Sequence, residues 1–225
     1  VFREGENDPA IRVLVVAGNG PAFCAGADLN WMKRMAGYGY GQNLADAQAL
    51  AGMLAALDRM SKPTIARVHG PAFAGGTGLV AACDIAVGSS AAQFCFSEAK
   101  LGLSPATISP HVMRAIGERA ARRLFLTAEV FDAAEAHRIG LLSLLVAPEA
   151  LDATIDGLVK HLLAGGPQAH RQIKALIGAV SGRPVDDALV ADTAARIAEI
   201  RVSPEGKEGI ASFLEKRKPS WTRKP

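Results

Sequence analysis

Glu98 occupies a position where a carboxylate could transfer protons in a site that is partly closed to water. It follows the apolar run from Gln93 to Phe96 and precedes a turn that contains Gly102 and Pro105. Burial raises the pKa of a carboxyl group toward neutrality, which suits a group that must both accept and donate protons. A surface or helix-capping glutamate is the alternative interpretation when Glu98 is considered alone.

Two glycine-containing loops could supply a second kind of catalytic group, the backbone N–H. The first loop runs from Phe23 to Asp28, and the second runs from His69 to Gly78. Small residues let a ligand approach the backbone, and the start of a helix leaves N–H groups free. If both loops follow adjacent parallel strands, they could donate to one oxygen atom and form an oxyanion hole. Simple tight turns and a phosphate-binding loop are the alternatives, the latter disfavoured because no GxxxxGK[ST] motif is present.

The apolar pattern predicts the elements that position these loops. The runs from Arg12 to Ala17 and from Pro63 to Val68 predict strands that are buried on both faces. Between them, residues 43–60 have the apolar spacing of a helix. A strand, a helix and a second strand in this order predict a parallel sheet with a right-handed crossover. Residues 84–87 and 93–96 predict two further strands.

The second half of the sequence is predominantly helical in pattern. It predicts one strand over residues 142–146 and helices over residues 108–126, 132–138, 148–164, 167–180, 185–200 and 204–215. We therefore predict an α/β fold with a core over residues 1–145, which carries the site, and a C-terminal helical region over residues 146–225.

Composition restricts the classes of partner. The chain has 225 residues with 25 basic and 22 acidic side chains, and the resulting charge of +3 is too small to favour nucleic acid. No apolar run approaches the roughly 18 residues of a membrane span, so we predict no membrane association. The three cysteines (Cys24, Cys83 and Cys95) lack metal-ligand spacing. They predict reduced thiols in a cytoplasmic compartment and no bound metal.

The two loops, the following strand and the glutamate, taken in order, resemble the enoyl-CoA hydratase/isomerase (crotonase) family. The resemblance covers nearly the whole chain and rests on AFCAGADLNWM (22–32), KPTIARVHGPAFAGGTGLVAACDIAVGSSAAQFCFSEAKLGLSP (62–105), AARRLFLTAEVFDAAEAHRIGLLSLLV (120–146) and GIASFLEKRKPSW (209–221). It implies a crotonase-like ββα spiral core with a C-terminal helical trimerisation region. It also implies an acyl-CoA thioester as substrate, with coenzyme A as part of that substrate and no separate cofactor, and self-association as a trimer or a dimer of trimers.

The resemblance also implies roles for individual residues. Ala25 and Gly75 would supply the two N–H groups of the oxyanion hole, and Glu98 would be the catalytic acid and base. Gly78 falls on the position of the family's first catalytic glutamate, so that carboxylate is absent here, and the usual glycine-rich turn after the second glutamate reads Ala106-Thr107-Ile108-Ser109. The implied substrate and coenzyme A contacts are Ala25, Gly26, Ala27, Asp28, Gly75, Gly76, Gly78, Ala106, Phe213 and Lys216.

The single glutamate leaves the reaction open between two types. Moving a double bond from C3 to C2 needs one proton-transferring group, whereas hydration is simpler with two. The amino-acid sequence of residues 72–86 and 101–123, however, is most similar to that of bacterial hydratases of the methylglutaconyl-CoA type. We therefore predict hydration of a 2-enoyl-CoA, with a 3,2-enoyl-CoA isomerase and a non-catalytic CoA- or RNA-binding protein as alternatives. A distal carboxylate on the acyl group would need a cation, for which Lys33, Arg34 and Lys100 are candidates.

Overall fold

The computed structural model describes residues 1–222, and the basic residues Arg223 and Lys224 lie outside the described part of the chain. The strands are β1 (Leu14–Ala17), β2 (Thr64–Val68), β3 (Ala72–Phe73), β4 (Ile85–Ser89), β5 (Gln93–Cys95), β6 (Phe131–Asp132) and β7 (Leu144–Val146). The larger sheet has the order β1-β2-β4-β7, and every pair of neighbours in it is parallel. The predicted parallel arrangement of the first two strands is confirmed.

The two strands that precede the predicted loops differ in burial. β2 lies between β1 and β4, and all of its residues except Arg67 are buried, so the predicted burial on both faces is confirmed. For β1 the same prediction is wrong, because its residues alternate between half-buried and exposed. Leu14 and Val16 pack against the core, whereas Val15 on the opposite face is 37% exposed.

A second, smaller sheet has the order β3-β5-β6. β3 pairs with β5 in parallel, and β6 pairs with β5 antiparallel. The prediction of a single strand after residue 108 is therefore wrong. β6 has only two residues, which is too short to produce a periodic pattern. It is held instead by Phe131, whose ring stacks on that of Phe94 with centroids 5.6 Å apart.

Helices make up most of the remaining structure. They are α1 (Phe2–Asn7), α2 (Leu29–Met35), α3 (Tyr40–Asp58), α4 (Gly75–Ala82), α5 (Ser109–Thr127), α6 (Ala133–Arg138), α7 (Leu151–Ala164), α8 (Pro167–Val180), α9 (Asp187–Val202) and α10 (Pro204–Leu214). α5 is kinked at Gly117, which has a φ of +74°. Short 3₁₀ helices cover Ser97–Leu101, Pro148–Ala150 and Ser220–Thr222.

The helices divide into two groups. α3 connects β1 to β2 and α4 connects β3 to β4, whereas α7 to α10 follow the last strand. Ile155 of α7 packs with Ile65 of β2 and Val87 of β4, which joins the helical region to the larger sheet. The predicted α/β fold with a C-terminal helical region is confirmed, and the boundary between residues 145 and 146 remains a prediction. No helix among residues 1–222 is long and apolar enough to cross a membrane.

Asp84 joins the starts of β2 and β4 to α8. Its carboxylate accepts hydrogen bonds from the backbone N–H of Thr64 at 2.8 Å and from the Thr64 hydroxyl at 2.9 Å. Lys174 of α8 forms an ion pair with the same oxygen at 2.6 Å. Burial and the neighbouring Asp84 charge raise the pKa of Cys83 to about 12, so this thiol stays protonated.

This network generates a prediction for stability. Asp84→Ala should lower the free energy of unfolding by about 2–3 kcal/mol, because it leaves Thr64 and Lys174 without their shared acceptor. Asp84→Asn, which keeps one acceptor oxygen, should lose less. Urea unfolding followed by circular dichroism measures both values, and an unfolding free energy equal to that of wild type in Asp84→Ala would show that the network contributes nothing.

Candidate active site

The two predicted loops meet at one end of the larger sheet. β1 and β2 are adjacent and parallel, so the segments that follow them leave the sheet on the same side. Cys24 of the first loop forms an isolated parallel bridge with Ala72 of the second. The N–H of Phe73 donates to the carbonyl of Cys24 at 2.9 Å, and the N–H of Cys24 donates to the carbonyl of Pro71 at 3.1 Å. The loops are thus hydrogen-bonded directly to each other.

Gly76 allows an unusually close approach between the start of α4 and the first loop. A Cβ atom at this position would lie 2.6 Å from the carbonyl oxygen of Cys24 and 2.8 Å from its Cβ. Neither distance is possible in a relaxed structure, so only glycine fits without a shift of the backbone. A Cβ atom at the neighbouring Gly75 would meet nothing within 4 Å, which leaves open space beside the first residue of the helix.

The backbone at the start of α4 is strained. Ala74 has φ 48° and ψ −117°, a conformation that non-glycine residues rarely adopt. Its N–H donates to the carbonyl of Cys95 at 2.8 Å, which fixes the bend. Within residues 1–222, neither the N–H of Ala25 nor that of Gly75 has a hydrogen-bond partner. Each loop therefore presents a free backbone donor, and the start of the helix adds partial positive charge at Gly75.

Glu98 is brought to the same region by β5. This strand lies beside β3, with Phe73 opposite Cys95, and the chain then enters the 3₁₀ helix that carries Glu98. Phe96, which precedes this helix, is 1% exposed and packs edge-to-face on Phe125 with centroids 4.8 Å apart. The hydrogen bond from the N–H of Ala74 to the carbonyl of Cys95 therefore ties the second loop to the strand end that leads, through Phe96, into the 3₁₀ helix.

One oxygen of the Glu98 carboxylate is shielded from water. Its Oε2 atom is buried and has no hydrogen-bond partner among the described residues, although the residue as a whole is only half-buried. Burial raises the pKa of Glu98, and a hydrogen bond from the backbone opposes part of this effect. An unpaired buried carboxylate is costly for folding, and a raised pKa is typical of a group that transfers protons.

The other predicted contact residues are distributed over the surface. Ala27 and Asp28 are exposed, and the Asp28 side chain caps α2 by accepting the N–H of Trp31 at 2.8 Å. Ala106 is exposed in the segment after the 3₁₀ helix. Phe213 lies near the end of α10 with 82% of its surface exposed, and Lys216 follows with a φ of +53°. Their predicted contacts with coenzyme A remain predictions.

Two residues that shape the site were missed in the sequence. Ala74 bends the backbone before Gly75, and alanine carries no signal for a positive φ. Ile108 is 1% exposed and lies against Gly78 of α4. The sequence does mark the position of Ile108 as unusual, because residues 106–109 replace the glycine-rich turn that is typical of the family.

A cavity of about 650 Å³ lies at the opposite end of α4. Its lining includes Val80, Cys83, Arg114 and Lys174, and none of the predicted catalytic residues borders it. Among the described residues no group of three or more histidine, cysteine, aspartate or glutamate side chains could hold a metal ion.

Comparison with known proteins identifies the family of the chain. The family model described as enoyl-CoA hydratase/isomerase matches residues 1–224. A crotonyl-CoA hydratase from Syntrophomonas wolfei is 33% identical over 220 residues, which cover 97% of this chain and 83% of that protein. The chain belongs to the enoyl-CoA hydratase/isomerase family, as its sequence motifs predict.

Solved structures agree with the fold. An enoyl-CoA hydratase from Shewanella pealeana superposes with a TM-score of 0.94 at 44% identity, covering 98% of this chain and 82% of that chain. The protein AtuE from Pseudomonas aeruginosa superposes with a TM-score of 0.92 at 35% identity, covering 99% and 86% of the two chains. The predicted crotonase-like fold is therefore confirmed.

The buried carboxylate generates a prediction for stability against pH. A raised pKa means that folded Glu98 binds its proton more tightly than the unfolded chain does, so the folded state loses stability as pH rises above the ordinary value of 4.5. Glu98→Gln should therefore melt on the order of 2 °C above wild type at neutral pH. This difference should shrink as the pH falls below the raised pKa. Thermal melts at acidic to neutral pH measure the difference in melting temperature between the two proteins. A difference that does not change with pH would show that the Glu98 carboxylate is solvated in the folded protein.

Proposed function

We propose that the protein is an enoyl-CoA hydratase, which adds water to a 2-enoyl-CoA thioester. The observation that carries this proposal is that the loops of Ala25 and Gly75, whose N–H groups are free, are hydrogen-bonded to each other, and that Ala74 is bonded to the strand end that leads to the half-buried Glu98 with its unpaired carboxylate oxygen. Donors from two hydrogen-bonded loops suit an oxygen that gains charge during the reaction. The names of the hydratase relatives support the same reaction.

In the proposed reaction the thioester oxygen is held by the N–H groups of Ala25 and Gly75. Glu98, as the carboxylate, takes a proton from water as the water oxygen bonds to C3, and the electron pair of the double bond moves toward the thioester. The resulting enolate places its negative charge on the thioester oxygen, where the two donors stabilise it. Glu98 then returns the proton to C2, so one water is added and the carboxylate is regenerated.

The raised pKa of Glu98 matches this double role. A carboxyl group of ordinary pKa is a weak base at neutral pH, and its acid form is scarce. Burial brings the pKa closer to the working pH, so that the same group can accept a proton in one step and donate it in the next. The absence of a carboxylate at Gly78 leaves both steps to Glu98.

Coenzyme A would bind beside the first loop. The segment from Ala25 to Asp28 would face the pantetheine and adenine parts. Its residues are exposed except for the half-buried Gly26, which has a φ of +109°. Gly75 and Gly76 would contact the thioester, and backbone groups around Gly78 and Ala106 would help to hold the water. Phe213 and Lys216 would reach the adenine of a neighbouring subunit. In this proposal coenzyme A arrives with the substrate, and neither a metal nor a separate cofactor takes part.

The proposed acyl group is branched and similar to the methylglutaconyl group. The basis is the sequence similarity of residues 72–86 and 101–123 to hydratases of the methylglutaconyl-CoA type. Lys33 and Arg34 are exposed at the end of α2, and Lys100 is exposed two residues after Glu98. Any of these cations could meet a distal carboxylate on the substrate. The substrate assay described below distinguishes this acyl group from a straight chain.

An isomerase is the second candidate, and the residue at position 78 favours it. Gly78 has no side chain to hold water, and Glu98 alone could move a proton from C2 to C4 of a 3-enoyl-CoA. The third alternative, a non-catalytic CoA- or RNA-binding protein, is opposed by the retained Glu98 and by the small net charge of +3. Salt-dependent RNA binding without turnover would favour that third alternative.

We further propose self-association as a trimer or a dimer of trimers. Large apolar side chains are exposed along α8, α9 and α10, namely Ile173, Ile177, Val190, Ile197, Ile210, Phe213 and Leu214. Exposed large apolar side chains on neighbouring helices are typical of a contact with another chain when they form one surface. A cytoplasmic location, with the three free cysteines reduced, and the absence of membrane partners complete the proposal.

A panel of three thioesters tests the reaction. We expect turnover of 3-methylglutaconyl-CoA and, more slowly, of crotonyl-CoA, each with a mass gain of one water, and no conversion of a 3-enoyl-CoA. Glu98→Gln should remove turnover while leaving the affinity for acyl-CoA nearly unchanged. Conversion of the 3-enoyl-CoA without mass change would instead identify an isomerase, and wild-type turnover by Glu98→Gln would reject the catalytic role of Glu98.

A second prediction concerns the oxyanion donor of α4. Gly75→Pro deletes the N–H at the first position of the helix, and kcat should fall by about a hundredfold or more. Gly75→Ala is the matched control, because its N–H remains and its Cβ atom meets nothing within 4 Å. Steady-state kinetics on folded variants gives the comparison, and equal kcat for the two variants would remove Gly75 from the oxyanion hole.

A further inference from the structure

Ile108 fills the space beside Gly78. Gly78 is buried in α4, and Ile108, at the start of α5, is 1% exposed. A Cβ atom built on Gly78 would lie 2.8 Å from the Cβ of Ile108 and closer still to its Cγ2. Real Cβ atoms essentially never approach so closely, so the isoleucine side chain occupies the volume that any side chain at position 78 would need.

This contact connects the two halves of the proposed site. Gly78 lies one helical turn after Gly75, whose N–H is the proposed donor. Ile108 ends the segment that begins with Glu98, and its carbonyl accepts the N–H groups of His111 and Val112 at 3.1 Å each. The position of Ile108 is thus fixed by the first turn of α5, and its contact with Gly78 fixes the start of α4 against the segment that carries Glu98.

The contact also determines which groups can ionise in the site. The side chain of Ile108 is hydrocarbon in a closely packed interior, and a charge introduced there would be both crowded and poorly solvated. A carboxylate at position 78 would require the isoleucine side chain to be removed or displaced. Isoleucine at position 108 is therefore compatible only with glycine at position 78, and we call this dependence the interlock.

We propose that Ile108 is a positioning residue that limits the site to a single proton-transferring carboxylate. Its side chain excludes an ionisable group at position 78 and holds α4 against the segment of Glu98. The inference rests on the proposed function for Glu98, and it predicts that catalysis by the wild-type protein depends on one carboxylate ionisation.

Four variants test the interlock: Gly78→Glu, Ile108→Gly, Gly78→Glu with Ile108→Gly, and the matched control Gly78→Gln with Ile108→Gly. Gly78→Glu alone should lower the melting temperature by roughly 5 °C or more, because the core is overpacked and a charge is buried. The Gly78→Glu with Ile108→Gly variant should recover much of the melting temperature that Gly78→Glu alone loses. In the wild-type background, by contrast, Ile108→Gly should lower the melting temperature.

The dependence of kcat/KM on pH provides the second measurement. Wild type should show one ionisation on its acidic limb, and the Gly78→Glu with Ile108→Gly variant should gain a second ionisation that the matched glutamine variant lacks. Gly78→Glu alone should show only one ionisation, because Ile108 keeps the new carboxylate out of the site, and a second ionisation in that single variant would contradict this role of Ile108.

Opposite results would overturn the inference. A Gly78→Glu variant as stable and active as wild type would show that Ile108 does not exclude a side chain at position 78. The same would follow if the melting temperature of Gly78→Glu with Ile108→Gly fell by the sum of the two single losses. Two ionisations in wild type would show that another carboxylate shares the proton transfers. Lack of turnover in every protein, wild type included, would reject the proposed function and the catalytic part of the inference, while the melting temperatures would still test the packing.

Discussion

The structure of the site depends on the close backbone contact between the first loop and the start of α4. Hydrogen bonds join Cys24 to Phe73 and Pro71, and Gly76 lets the helix approach the carbonyl of Cys24 at a distance that excludes any side chain. This contact requires β1 and β2 to be parallel neighbours, because only then do both loops leave the same end of the sheet. The strained backbone of Ala74 is held by its bond to Cys95 and directs the first turn of α4 toward the loop.

Burial of one carboxylate complements this arrangement of backbone donors. Phe94 of β5 packs on Phe131, and the next aromatic residue, Phe96, packs on Phe125. The 3₁₀ helix that follows keeps an oxygen of Glu98 out of water without giving it a partner. The folded protein loses some stability by this placement, and the pKa of Glu98 is raised as a result. Sites that transfer protons commonly carry such a locally unfavourable group, which the surrounding packing holds in place.

Sequence reasoning reached the fold because long periodic segments carry strong signals. The crossover from β1 through α3 to β2 follows from an apolar run, a helical repeat and a second apolar run. The helices after residue 108 follow from the same kind of helical spacing of apolar residues. The exposed face of β1 and the two-residue β6 could not be predicted, since both depend on which distant element packs against them. Glu98 and the glycine loops were found by order and resemblance, whereas the contact of Ile108 with Gly78 is visible only in three dimensions.

The most direct measurement is a crystal structure of the protein with butyryl-CoA, a saturated thioester that cannot be hydrated. The account predicts a thioester oxygen about 3 Å from the amide nitrogens of both Ala25 and Gly75, with the carboxylate of Glu98 beside the acyl α-carbon. A thioester oxygen in contact with water or with only one of these amides, or a carboxylate turned away from the acyl group, would contradict it.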